Sequence, residues 1–274
     1  MCKLLKVSKS GYYKWLSCPV SNQEQANLKL DKYIKVLFTK YSADYGYRRI
    51  YKELLKFNLP TSINRVRRRM EKLNLYATKP VKKYKSTTNK SCTGSRYVAN
   101  LLNQDLNTTA PNQKWVSDIT ETKVRGKKLY LAVIIDLYSR KVIGWSMNNH
   151  MRSGLIIDAL NMAMNNRGYP KYVLLHSDRG SQYASNKYQT VLKHYKLNQS
   201  MSATGCCYDN AACESFFATL KKELIYKVNF IDMHDAKSSI FRYIEAFYNK
   251  VRLHSSIGYL APLEFESRQL ARAA

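Results

Sequence analysis

Apolar residues recur every three to four positions over residues 24–56, where Leu28, Ile34, Leu37 and Phe38 are followed by Tyr47, Ile50 and Leu54, and this spacing predicts helix. The run breaks at Asn58-Leu59-Pro60-Thr61, with Thr61 or Ser62 placed to cap a further helix over about 62–74. In that helix Ile63, Val66, Met70 and Leu73 form one stripe, and Arg65, Arg68, Arg69 and Lys72 fall on the other side. Residues 78–112 lose the periodicity. They are rich in Lys, Ser, Thr and Asn, with Pro80 and Pro111 as breakers, and read as a basic linker. From residue 114 the texture turns to strands: Trp115–Val124 and Leu129–Asp136 around Arg125-Gly126-Lys127, then Lys141–Met147 after Tyr138-Ser139-Arg140. A helix over Leu155–Asn165, a short buried strand over Tyr172–His176, a helix over 185–195 and a strand over Leu197–Ser202 follow. A helix capped by Asp209 or Asn210 comes next, and a last helix over 233–249 aligns Ala236, Ile240, Ile244 and Phe247.

Three antiparallel strands followed by alternating helix and strand match the order of a ribonuclease H-like α/β fold, preceded here by a small all-α region. The two N-terminal helices, the second amphipathic and arginine-rich, resemble a helix-turn-helix whose second helix meets DNA. A solvated charged face on an ordinary helical hairpin explains the same pattern, and four arginines within five positions shift the balance towards nucleic acid.

Charge sharpens that reading. The chain has 46 Lys and Arg against 19 Asp and Glu, a net charge of +27. Residues 1–100 hold 23 of those cations against 5 carboxylates, so the excess is concentrated there. Such an excess implies a polyanionic partner, since phosphate contacts release counterions whatever the sequence. An RNA-binding role accounts for the charge equally well. No apolar run reaches the roughly 18 residues of a membrane span, and the first residues lack the apolar stretch and cleavage site of a secretion signal. The cysteines at 2, 18, 92, 206, 207 and 213 show no paired metal-binding spacing, so reduced thiols in a cytosolic protein are the simpler reading.

The chemistry concentrates in three carboxylates. Asp118 lies in Trp115-Val116-Ser117-Asp118-Ile119-Thr120, and Asp178 follows a short buried strand in His176-Ser177-Asp178-Arg179-Gly180. Glu214 follows after an interval of 35 residues (179 to 213), in a helix where Ala218 and Lys221 share its face, while Phe216, Phe217 and Leu220 supply the packing face. A carboxylate in a sheet core needs a cation to offset its desolvation, and α/β folds collect ligands at strand ends. Carboxylates so placed can converge on two divalent ions that clamp the attacking and leaving oxygens of a phosphodiester. Taken alone, Asp118 reads more readily as a structural acceptor, and Glu214 with Lys221 as an exposed surface pair. His176 reads as a strand-end core residue, and Asp136 as structural.

Together the three motifs resemble the D, D-35-E signature of retroviral-integrase-like transposases, with a lysine seven residues after the glutamate. Asp136-Leu137-Tyr138-Ser139-Arg140, His176-Ser177-Asp178-Arg179-Gly180-Ser181-Gln182-Tyr183, Tyr208-Asp209-Asn210-Ala211 and Tyr248-Asn249 with Arg252 and His254 are similar to the second-reading-frame transposase subunit of bacterial insertion sequences. The resemblance implies residues 1–77 as a helix-turn-helix-like DNA-binding region and 78–110 as the linker. It implies 111–266 as an integrase catalytic core ending in a helix, and 267–274 as a tail. It further implies strand cleavage and transfer at the element's ends, with Asp118, Asp178 and Glu214 holding two Mg²⁺ (or Mn²⁺). Lys221 would contact DNA near the reacting phosphate; Arg65, Arg68 and Arg69 are the DNA-contacting residues expected from the basic helix itself. The implied partners are the terminal inverted repeats, target DNA, further copies of the chain and an upstream-frame product or its fusion. The implied location is the bacterial cytoplasm at the nucleoid. A silent DNA-binding regulator of the element and a nuclease on the same fold remain open alternatives.

Overall fold

A computed structural model describes residues 2–17, 20–78, 98–202 and 210–273. The chain divides into two compact units, Met1–Lys79 and Pro80–Ala274.

The first unit is helical: α1 (Lys9–Ser17), α2 (Asn22–Lys40), α3 (Tyr47–Leu55) and α4 (Ile63–Lys72). The sequence expectation does not include α1, whose apolar residues Tyr12, Tyr13, Trp15 and Leu16 are all exposed. It also fuses α2 with α3. Ser42 and Ala43 adopt left-handed backbone (φ 48 and 60°) in the intervening turn, where Tyr41 stacks on Tyr45. Leu30, Ile34 and Leu37 of α2 meet Ile50 and Leu54 of α3 in the core, while Leu28, expected there, is exposed. Ser62, one of the two expected caps, starts α4 by accepting the Arg65 N–H. Val66 and Met70 are buried as the stripe requires.

The expected outward face of α4 needs one correction. Arg69 turns inward and is only 8% exposed. Its guanidinium grips both carboxylate oxygens of buried Asp31 on α2, with Nε 2.8 Å from Oδ1. The position lies next to the buried Met70 and one turn from Val66, so an arginine there serves the helix interface. Arg65 is half-buried and donates to Asn27 Oδ1 at 2.8 and 3.2 Å, whereas Arg67 and Arg68 are exposed.

The second unit is built on five strands: β1 (Lys114–Val124), β2 (Lys127–Asp136), β3 (Val142–Asn148), β4 (Leu174–Ser177) and β5 (Asn198–Met201). Their order is β3-β2-β1-β4-β5; β1 pairs antiparallel with β2 and β2 with β3, and β4 runs parallel to β1 and β5. This is the mixed sheet of a ribonuclease H-like fold. Alternation along the strands feeds two cores. Trp115, Ala132 and Ile134 face α5 (Ser153–Arg167) and α6 (Asn186–His194). Val116, Leu131, Val133 and Ile135 face α7 (Ala211–Leu220) and α8 (Met233–Arg242).

Three boundaries differ from expectation. Residues 79–97 of the linker lie outside the described residues, but its later part packs on the core: Leu102 is buried, and the Leu101 and Leu102 N–H groups both donate to Ser200 Oγ. α7 and α8 each run on into a π-helical turn, Lys221–Ile225 and Tyr243–Tyr248. These turns are joined through buried Glu223, which accepts two 2.8 Å hydrogen bonds from Arg252 and one from the Tyr243 hydroxyl. The expected tail from 267 belongs to a helix, α9 (Pro262–Ala273). Its Glu266 is buried against Ser139, Lys141 and Arg167, and Arg167 also reaches Asp136.

Candidate active site

Asp118 leaves the middle of β1 at the level where β4 ends. The β1–β4 pairing stops at Ser117↔Ser177, so Asp118 and Asp178 emerge side by side from two parallel neighbours. Asp118 Oδ1 accepts the N–H of Ile119 at 2.7 Å. Asp178 Oδ1 accepts the Gly180 N–H at 3.0 Å in a tight turn. A Cβ at residue 180 would stand 3.0 Å from that same oxygen and 2.9 Å from Gln182 Oε1, so a side chain there would make the carboxylate and the Gln182 tip give way by a few tenths of an ångström.

Glu214 reaches the site on α7, whose first turn is docked to β1. Asn210, at the helix N-cap, donates to the Ser117 carbonyl at 3.3 Å, one residue before Asp118. Asp209, the other expected cap, lies outside the described residues. Cys213, Phe216, Phe217 and Leu220 are buried, while Glu214 and Ala218 are exposed and Lys221 is half-buried at the start of the π-turn. The face assigned from spacing is therefore the face that looks outward.

Electrostatics show that the charged groups converge. Burial first, then the charge of Asp178, then that of Glu214 push the Asp118 carboxyl up to about 7, and the Ile119 N–H and Lys221 pull the other way. Asp178 is exposed on its open side, yet the protein packed behind it raises its carboxyl above the ordinary range. Among the described residues, however, no three His, Cys, Asp or Glu side chains stand close enough together to form a ready metal cage. The arrangement is an open cluster of like charges. Such a cluster costs energy unless a cation enters, and three carboxylates with space between them suit a hard divalent ion that keeps some of its waters.

Two supports behind the carboxylates carry no signal in their spacing. The Ser117 and Tyr183 hydroxyls are buried and 2.9 Å apart. Burial, then Asp118 and Asp178, raise the Tyr183 hydroxyl well above its ordinary value, so it stays protonated. His176, two residues before Asp178, is fully buried between Ser200 and Ser202 at 2.9 and 3.0 Å. Ser200 Oγ already accepts from Leu101 and Leu102, so its one hydrogen goes to His176 Nδ1, and the ring proton sits on Nε2. His176 is thus a core residue, as expected. Asp136 is buried and accepts from the Asn112 and Tyr138 N–H groups and from Arg167, a structural role. Cys213 is sealed in the core, where burial pushes its thiol up, whereas Cys206 and Cys207 lie outside the described residues.

Comparison with known proteins agrees with this architecture. The integrase core domain family matches residues 108–207 and, in a second form, 195–262, and an HTH-like domain family matches residues 23–84. The chain belongs to the insertion-sequence transposases with an integrase core, enzymes of the polynucleotidyl transferase type that carry out DNA transposition. It is 42% identical to transposase InsF of insertion sequence IS3A from Escherichia coli K12 over 273 residues, covering 99% of this chain and 94% of that one. It is 39% identical to the transposase of element IS904 from Lactococcus lactis, over 90% of this chain and 96% of that one. The HTLV-2 integrase catalytic core, solved with magnesium, is similar at 18% identity and a TM-score of 0.44, over 57% of this chain and 97% of that one.

Proposed function

We propose that Asp118, Asp178 and Glu214 are the catalytic carboxylates of DNA strand cleavage and strand transfer, and that they act by holding two Mg²⁺ (or Mn²⁺) ions. The observation that carries this reading is geometric: Asp118 and Asp178 follow the last β1–β4 rung on neighbouring parallel strands, and Asp178 and Glu214 both stand near enough for their charge to raise the Asp118 carboxyl. Bound there, divalent ions supply charge for the attacking oxygen and for the leaving 3′-oxygen of an in-line displacement. The chain's own part is positional. β1 and β4 set two carboxylates on adjacent strands, and Asn210 docks the helix that brings the third. Lys221, on the Glu214 face, places a cation where the reacting phosphate would lie, acting by charge. In the helical unit Arg68, exposed on α4, and Arg65 beside it are the arginines we assign to the phosphate backbone; Arg69 is committed to Asp31. Assembly as a multimer on the element's terminal repeats and target DNA, with or without fusion to an upstream-frame product, belongs to the same proposal and is supported by family membership.

The test is the isosteric Glu214→Gln. In Mg²⁺ it is expected to lose both cleavage of element-end DNA and joining of the 3′-hydroxyl product to a target, while DNA affinity and thermal midpoint hold. Parental rates in both steps would remove Glu214 from the catalytic set. Cleavage without joining by the parent protein would make it a nuclease.

A further inference from the structure

The five cations of α4 are sorted by what holds them. Arg69 grips buried Asp31, Arg65 donates to Asn27, and Lys72 lies 3.4 Å from Glu24, so these three are drawn to α2. Arg67 reaches Glu71 on its own helix, at 3.8 Å and with the two side chains 52% and 53% exposed. Arg68 is exposed, and so is Asn64 one turn before it. Among the described residues neither of these two side chains is hydrogen-bonded or ion-paired.

A helix turns about 100° per residue, and burial fixes which way α4 points. Val66, Arg69 and Met70 are buried, so the opposite side looks outward. Asn64 and Glu71, nearly two turns apart, stand on the centre line of that side. Arg67 lies on one edge of the line, and Arg68, Lys72 and Arg65 lie on the other. The outward side is thus basic along an edge and mixed along its centre.

A helix that held phosphates alone would gain from cations throughout, and Glu71 at its centre would repel the DNA backbone. Base edges ask for a different set. In the major groove Asn matches N6 and N7 of adenine, Arg matches O6 and N7 of guanine, and Glu accepts from N4 of cytosine. α4 presents one of each, beginning in its first turn, the part of a recognition helix that meets base edges. Arg67 and Glu71, side by side, also match the acceptors and donor that a G·C pair shows side by side. From Asn64 to Glu71 the helix rises about 10 Å, the height of roughly three base pairs.

We propose that Asn64, Arg67 and Glu71 read base edges in the major groove of duplex DNA, Asn64 on an adenine and Arg67 with Glu71 on a G·C pair. Arg65 and Arg68 hold the backbone beside them. This rests on the reading of α4 as a DNA-facing helix and adds to it the residues that give sequence preference.

Selection from a randomised duplex library by the full chain tests it. The parent is expected to enrich a motif that has an adenine within about three base pairs of a G·C pair. Asn64→Ala should lose the preference at the adenine, and Arg67→Ala at the G·C pair. Each should cut the affinity ratio of selected to unrelated duplex roughly 10- to 100-fold. Glu71→Gln should also relax the G·C position while holding or raising affinity for unrelated duplex, since it removes a negative charge. All three residues are exposed, so the thermal midpoint should hold. A parent that enriches no motif, or variants that return the parent's motif unaltered, would overturn the proposal. Undiminished binding of unrelated duplex by Arg68→Ala would instead overturn the DNA-facing reading of α4 itself.

Discussion

At the scale of single residues, the site depends on positions with no chemistry of their own. Gly180 is the clearest. Its N–H holds Asp178 Oδ1, and a Cβ there would press that oxygen from 3.0 Å. Gly180→Ala is expected to push the Asp178 carboxylate aside and slow cleavage roughly 10- to 100-fold, because small misplacements of a reacting group cost that much. The fold should be retained, as judged by an unchanged circular dichroism spectrum; a variant with parental turnover would show that the carboxylate tolerates the shift. The carboxylates themselves were legible in the sequence, because three unlike segments carry them at the spacing of a known signature. The Ser117–Tyr183 pair and the Asn210 anchor were not, since each joins residues 66 or 93 positions apart and only the fold reveals such neighbours.

At the scale of elements, the expected strands agree with the structure to within two residues at each end, because two cores on opposite faces of one sheet impose a strong alternation on β1 and β2. Helices were harder. α9 lies beyond the last apolar stripe read from the sequence, and its Pro262 stands in the first turn, where proline is favoured. On α4, periodicity sorted Arg69 with the outward arginines, while packing turned it onto Asp31. The two kinds of arginine should separate on measurement. Arg69→Ala leaves Asp31 buried without its cation and should cost about 3 kcal/mol in chemical denaturation of the helical unit. Arg68→Ala should leave that stability within about 0.5 kcal/mol and instead weaken DNA binding. The reverse pattern would move the DNA-facing side of α4.

At the scale of the whole molecule, the catalytic unit is closed by an ion cluster that links Asp136, Ser139, Lys141 and Arg167 to Glu266. Burial tends to raise the Glu266 carboxyl, but the hydrogen bond and charge of Arg167, with Ser139 and Lys141, hold it below its ordinary 4.5. A depressed acid stabilises the fold above its unfolded value and loses that contribution as pH falls through the folded one. Glu266→Gln should therefore lower stability by about 2 kcal/mol at neutral pH. The gap from the parent should close as the solution is taken below pH 4.5, and a gap constant with pH would mean that Glu266 acts by shape alone. Asp136, raised chiefly by burial, titrates in the opposite sense, and because the Glu266 charge is one of the influences that raise it, the substitution relieves part of that shift.

The same cluster sets an order of events during synthesis. Glu266 follows Ser139 by 127 residues, which at cellular rates of chain growth is on the order of ten seconds of translation. The helical unit closes its own Arg69–Asp31 pair within its first 79 residues. On the ribosome, a nascent chain can therefore present its folded basic helices while its catalytic core still lacks the carboxylate that fastens the β2–β3 turn.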